Sequence, residues 1–307
     1  MLILTFNRPR FLKKRLVEIL ERDQYQNVIV SVDFHSNEMT TAYKELLSDF
    51  IERYPDKLRV IYRRTNIGIA KHLPISLDEI FERNESAIVF EDDIAVGSGV
   101  LASFAKANQI LKSDESIFTI GGFTFSIWPL ARILKNQWRK THYFSAWGWM
   151  TNRNQWSNYR QSLSGENLED LFVNRTKGIR LSSHQQRIWL TRFKKCQENE
   201  NRTWDIPMQY WTFVTGKHHL LPTFRLLENE GFNALESTNT RNSRPGWMFK
   251  MRFLEDVIEP EYKNSYLGRI MKFIDAFTIG GDRNFDLNEK VVTLLKHVKE
   301  VLKSKKY

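Results

Sequence analysis

Three consecutive acids, Glu91, Asp92 and Asp93, interrupt the apolar run "SAIVFEDDIAV" (residues 86–96). No turn residue separates them from the strand-like segment before them. Their charges therefore crowd at the edge of a core, where mutual repulsion raises carboxyl pKa values unless a cation is present. A divalent metal is the economical remedy. Hard oxygen ligands suit Mg2+ or Mn2+, and an ion held by only one or two protein carboxylates keeps open positions for phosphate oxygens. The chemistry this triplet points to is the holding of a metal against a diphosphate, and the plain alternative is an acidic turn in water.

Such a cluster must be positioned by the elements around it. "LILTF" (2–6), "VIVSV" (28–32), "LRVIY" (58–62) and "AIVF" (87–90) are short apolar runs of strand type. Between them lie helical stripes: Leu12, Leu16, Ile19 and Leu20, then Ala42, Leu46, Leu47, Phe50 and Ile51, then a helix from about Ala70 to Phe81. Another helix is expected from about Gly99 to Leu111. Four βα units in succession predict an α/β fold built on a mostly parallel, Rossmann-like sheet flanked by helices. In such sheets ligands sit beyond the carboxyl ends of the strands, where loops and helix N-termini converge. The polar residues that follow the strands are Asn7, Asp33, "RRTNIG" (63–68) and the acid triplet, so four polar sets are expected on one rim.

Composition narrows the partners. With 307 residues, 41% of them hydrophobic, the chain can bury an ordinary core as one large or two modest domains. Its single cysteine, Cys196, cannot form an internal disulfide, which favours a cytoplasmic location. No apolar run approaches the roughly 20 residues needed to cross a bilayer, and the first apolar run breaks at Asn7 and Pro9, too early for a signal peptide. A net charge of +10 suits a polyanion, whether nucleic acid, acidic lipid or a phosphorylated small molecule. "DLNEKVVTLLKHVKEVLKSKK" (286–306) reads as an amphipathic helix. Its Lys-rich face offers either peripheral contact with the inner face of an acidic membrane or plain solvation, and solvation is favoured.

"LTFNRP", "NIGIAKHLPISLDEIF" (66–81) and "IVFEDDI" resemble the GT-A glycosyltransferases, in particular the bacterial family 2 type and the N-acetylglucosaminyltransferase I group. The likeness extends over about residues 2–240. It implies a GT-A domain with a nucleotide-sugar-binding half (1–125), an acceptor-binding half (126–248) and a C-terminal helical extension (249–307). It also implies that Asp93 contacts Mn2+ or Mg2+, that Asp92 lies near the ribose or the metal's waters, and that Glu91 sits deeper, toward the transferred sugar. Asp33 would read the base, and Lys71 and His72 would face the nucleotide. Asn66 and Gly68 would form the turn that lets the backbone approach it. Asn7 would join them on the rim.

In the second half, "THYFSAWGWMTNRNQW" (141–156) gathers Tyr143, Phe144, Trp147, Trp149 and Trp156 around Gly148. Sugars present C–H faces that stack on such rings. The family carries a similar element at the cleft, which singles out Trp147 and Gly148, while core packing is the competing reading. "NRTWDIPMQYW" (201–211) resembles the family's "TWD" segment, whose acid is the general base. Asp205 takes that place, with a helix cap as the competing role. Where relatives carry a His between two threonines this chain has Asn239, so Arg241 and Arg244 are the residues expected to clamp the diphosphate.

The resulting expectation is a metal-dependent transferase that moves a sugar from a nucleotide-diphosphate donor to a carbohydrate or lipid-linked saccharide acceptor. Inversion and a role in bacterial surface polysaccharide synthesis are what the resemblance implies, and no nucleic acid partner is expected. Two other classes are weighed beside it. A sugar nucleotidyltransferase would carry a Gly-rich loop after the first strand, and "TFNRPRF" has no glycine. A non-catalytic module that binds nucleotide-sugar or nucleic acid would explain the charge. For nucleic acid, though, the acid triplet would face a polyanion.

Overall fold

The computed structural model describes residues 1–21, 27–97, 99–124, 137–162, 183–199, 203–222 and 225–232, with residues 172, 179, 181 and 261–262. The chain opens with β1 (Leu2–Thr5), α1 (Pro9–Leu20), β2 (Val28–Val32), α2 (Asn37–Arg53), β3 (Leu58–Tyr62), α3 (Ile69–Phe81) and β4 (Ser86–Glu91). It continues with β5 (Ile94–Val96), α4 (Val100–Ser113), β6 (Ile117–Gly121), β7 (Gln137–Thr141), β8 (Trp149–Asn152) and α5 (Arg153–Ser162). The last described elements are α6 (Ser183–Glu198), α7 (Asp205–Thr215), β9 (His218–Pro222), β10 (Leu227–Asn229) and β11 (Glu261–Tyr262).

Among the described residues nine strands form one sheet in the order β11-β7-β9-β6-β8-β4-β1-β2-β3. The α/β architecture expected from the βα alternation is present. β3, β2, β1 and β4 are mutually parallel. β8 runs antiparallel between β4 and β6, β9 is parallel to β6, and β7 is antiparallel to β9. One sheet therefore runs through residues assigned to both the 1–125 and the 126–248 halves. A separate two-stranded sheet pairs β5 with β10 and brings residues 227–229 back beside the acid triplet.

Strand alternation explains the layering, because successive side chains on a strand point to opposite faces. Ile3 and Val30 pack with Leu12, Leu16, Leu47, Phe50 and Phe104 from α1, α2 and α4. Leu2, Leu4 and Val89 pack on the other face with Leu73 and Leu77 of α3, Trp156 of α5, and Met208 and Trp211 of α7. A smaller aromatic cluster joins Tyr143 to Trp189 and Phe193 of α6 and to Tyr210 and Phe213 of α7.

The aromatic motif of 141–156 is largely part of this core. Trp149 is 0% exposed, and Tyr143, Phe144 and Trp156 are also buried. A stacking platform for a sugar needs an accessible ring face, so these four do not form one. Only Trp147 is half-buried, against Phe123 and Phe232. The expected helix at 286–306, the rest of 249–307 apart from 261–262, and Asn239, Arg241 and Arg244 lie outside the described residues. Among the described residues no helix is long and apolar enough to cross a membrane.

Candidate functional site

Parallel register sets the site. Leu4 lies opposite Ser31 of β2 on one side and Glu91 of β4 on the other. The residues just beyond, Thr5 to Arg8, Asp33 and Asp92, are therefore carried to the same end of the sheet. At that end a cavity of about 240 Å³ is lined by Thr5, Asn7, Arg8, Asp33, Asn66, Gly68, His72, Glu91, Thr203 and Trp204 with three apolar neighbours, while Asp92 and Asp93 stand behind Arg8 and do not line it. The expected rim residues Asn7, Asp33, Asn66, His72 and Glu91 are thus brought together.

On one wall, Asp33 organises the approach to α3. Its Oδ1 accepts from the backbone N–H of Phe34 at 3.0 Å and of Ile67 at 3.1 Å, and its Oδ2 accepts from Gly68 N–H at 3.0 Å. The Gly68 N–H also reaches Asn66 Oδ1 at 3.0 Å. Gly68 adopts φ 71°, a region that L residues with a side chain seldom occupy, and so turns the chain into α3. His72 is 2% exposed, and its Nε2 pairs with Ser31 Oγ at 2.7 Å. Burial, reinforced by the Arg63 charge, lowers its pKa to about 3, so it faces the cavity as a neutral ring. Lys71 is exposed and does not line the cavity.

The cavity is also lined by a residue the sequence reading passed over, Arg8. Its Nη2 lies 2.6 Å from Asp92 Oδ1, and its Nη1 donates to Asp93 Oδ2 at 2.7 Å. Asp92 Oδ2 accepts from Thr5 Oγ1 at 2.6 Å, Thr5 Oγ1 meets the Tyr43 hydroxyl at 2.6 Å, and the Arg8 N–H donates to that hydroxyl at 3.0 Å. The ring of contacts closes on Arg8 from both its head and its backbone. Burial works against the guanidinium charge, but Asp92, Asp93 and Glu91 outweigh it and hold Arg8 above its usual range. Burial pushes Glu91 and Asp92 well above the usual carboxylate range. The Arg8 charge offsets part of that rise in both.

This arrangement decides how the acids stand toward a divalent ion. Of the four oxygens on Asp92 and Asp93, three are held by Arg8 or Thr5, and only Asp93 Oδ1 is buried without any contact of these kinds. The chain also closes over Asp93: a Cβ built on Gly231 would stand 2.1 Å from Asp93 Oδ2. A Mg2+-type ion needs near-octahedral oxygens and room for its waters. The direct metal contact expected of Asp93 therefore does not fit the residues as arranged. The position a cation would take is filled by a guanidinium.

The remaining expected residues sort by geometry. Glu91 is part-exposed on the cavity wall, which Trp204 also lines. Asp205 does not line the cavity. It begins α7, where its Oδ1 accepts from Ile206 N–H at 3.0 Å and from the Thr203 hydroxyl. Gly148, at φ 69°, and Trp147 lie against Phe90, Phe123 and Leu227, away from the cavity. Of the residues the sequence reading missed, Trp204 sat within its own "TWD" stretch. Arg8 carried only the signal of a basic residue two positions after an expected strand.

No protein-family model and no curated protein matches the chain. Solved structures do. One is GalNAc-T7 with UDP, GalNAc and Mn2+, at 12% identity and TM-score 0.42, covering 80% of this chain and 46% of that one. Another is the galactosyltransferase LgtC in complex with donor and acceptor sugar analogs, at 13% identity and TM-score 0.32, covering 52% and 60%. A third is mannose-1-phosphate geranyltransferase from Thermus thermophilus, at 10% identity and TM-score 0.30, covering 74% and 75%. The chain thus spans about half the length of the first and less than two thirds of the second. Likeness this loose leaves the site to be read from its own residues.

Proposed function

We propose that this chain is a glycosyltransferase that moves a sugar from a nucleotide-diphosphate donor to a carbohydrate or lipid-linked saccharide acceptor. The observation that carries the reading is the cavity beyond β1, β2 and β4, which Asp33 and the α3 turn line together with Arg8 and Glu91. A nucleoside suits the Asp33 side. Both lone-pair positions of Oδ1 are used there, but Oδ2 accepts only one backbone N–H and keeps capacity for a donor on a base or ribose. A diphosphate suits the Arg8 side, since guanidinium groups grip phosphate oxygens.

Proton transfer falls to Glu91. Of the two carboxyl groups that line the cavity, Asp33 is tied to three backbone N–H groups, whereas Glu91 is not, and its raised pKa makes it a stronger base toward an acceptor hydroxyl once ionised. Asp205 supports that wall from the start of α7. Attack across the sugar from the leaving diphosphate would invert the anomeric centre, and a surface-polysaccharide role belongs to the same proposal.

Thermal-shift measurements with UDP, GDP, ADP and CDP beside a single-stranded oligonucleotide test the ligand class. At least one nucleotide is expected to raise Tm, and the oligonucleotide is not. Stabilisation by the oligonucleotide alone would discard the reading. Glu91→Gln is expected to lower sugar-nucleotide hydrolysis about 100- to 10,000-fold while keeping the nucleotide-induced shift. If Asp205→Asn abolishes hydrolysis instead, the base is Asp205.

A further inference from the structure

We infer that Arg8 is the built-in cation of this site: it contacts the donor's diphosphate directly, so that nucleotide binding requires no divalent metal. The inference rests on the nucleotide-diphosphate reading above and goes beyond it by naming what carries the counter-charge. Arg8 bridges two acids, at 2.6 Å to Asp92 and 2.7 Å to Asp93, which are 0% and 3% exposed. Those acids do not cancel its use. They fix its plane, as the Thr5–Tyr43 pair fixes its backbone.

A guanidinium has five N–H donors in a rigid fork. One donates to Asp93, Nη2 stands 2.6 Å from Asp92 Oδ1, and among the described residues no other acceptor takes the rest, while the side chain, 15% exposed, borders the cavity. The donors left over are the ones a phosphate oxygen would meet. Lysine could not do this, because a single ammonium on a flexible stem cannot hold two carboxylates in a plane and still present a paired face. The Gly231 backbone also lies close against the Asp93 carboxylate.

The test measures binding to the purified chain by calorimetry, using UDP, GDP, ADP and CDP, their nucleosides and inorganic pyrophosphate, in chelator and in Mn2+. For whichever nucleoside diphosphate binds, the Kd in chelator is expected to lie within about threefold of that in Mn2+. Arg8→Lys is expected to weaken the diphosphate about 10- to 100-fold, the range of a charge-assisted hydrogen bond, and the matching nucleoside much less. A residue that only braced the fold would weaken both ligands together, and that outcome overturns the inference. Binding that appears only with Mn2+ also overturns it while leaving the nucleotide site intact. Failure of every nucleotide under both conditions overturns the functional reading and this inference with it. The chelator comparison uses the unaltered chain, so it decides even if Arg8→Lys does not fold.

Discussion

Asp33 shows how a residue chosen for binding can first be a structural tie. Its carboxylate accepts three backbone N–H groups, from Phe34, Ile67 and Gly68, and is 3% exposed. Those contacts fix the turn that starts α3 and leave one acceptor position toward the cavity. Asp33→Asn swaps one acceptor oxygen for an NH2 that must face a backbone N–H. The loss of stability in urea unfolding is expected to be about 1–3 kcal/mol, the cost of an unsatisfied buried group. Nucleotide affinity should fall in the same variant, since the turn and the ligand share Oδ2. A variant as stable as the parent would mean that the α3 turn holds itself. Arg8 makes the complementary case: it stands 84 and 85 residues before its partners, so nothing local in "TFNRPRF" announces them.

Elements were the most legible scale. The runs at 28–32 and 58–62 are strands over those same residues, and the helix expected from about Ala70 begins at Ile69. Alternation and helical stripes report such segments directly, because burial on one face is a local pattern. The insertion of β8 antiparallel between β4 and β6 was not legible, since pairing across the chain leaves no periodic mark. The aromatic motif misled for a related reason: a ring-rich stretch has the same composition in a core as on a platform, and only the sheet's placement shows which. Gly148 is where that placement is tightest. It has φ 69°, and an added Cβ would lie 2.2 Å from a Leu227 methyl and 2.8 Å from the Phe90 ring. Gly216, the left-handed cap of α7, has φ 70° and nothing within 4 Å. Both Ala variants incur the backbone cost of about 1–2 kcal/mol, and only Gly148→Ala adds overpacking of about 1–3 kcal/mol. Chemical denaturation of the pair separates the two terms, and equal losses would show that the β5–β10 side yields to the methyl.

At the scale of the molecule, among the described residues two histidines, one on α3 and one on β9, are buried without charge, and acid must act on both. His72 on α3 meets Ser31 of β2, with Arg63, itself paired to Glu79 and bonded to Ser76, as the charged neighbour. His219 on β9 bonds Thr119 of β6 and Thr212 of α7, and burial followed by His142 and His218 holds it well below 6.5. An unfolded histidine takes up its proton near 6.5, whereas folded His72 does so at about 3. Between those values the unfolded chain binds the extra proton, so stability present above about pH 6.5 is lost as pH falls toward 3. For His72 alone the loss from pH 7 to pH 5 is about 2 kcal/mol. Other groups titrate in the same interval, which is why a difference between two proteins is the right quantity. His72→Gln keeps a hydrogen-bonding side chain toward Ser31 and cannot titrate, while His219 and the acid triplet stay in both proteins. Urea unfolding at the two pH values is expected to show the parent losing about 2 kcal/mol more than the variant, and parallel losses would mean that folded His72 titrates like a histidine in water.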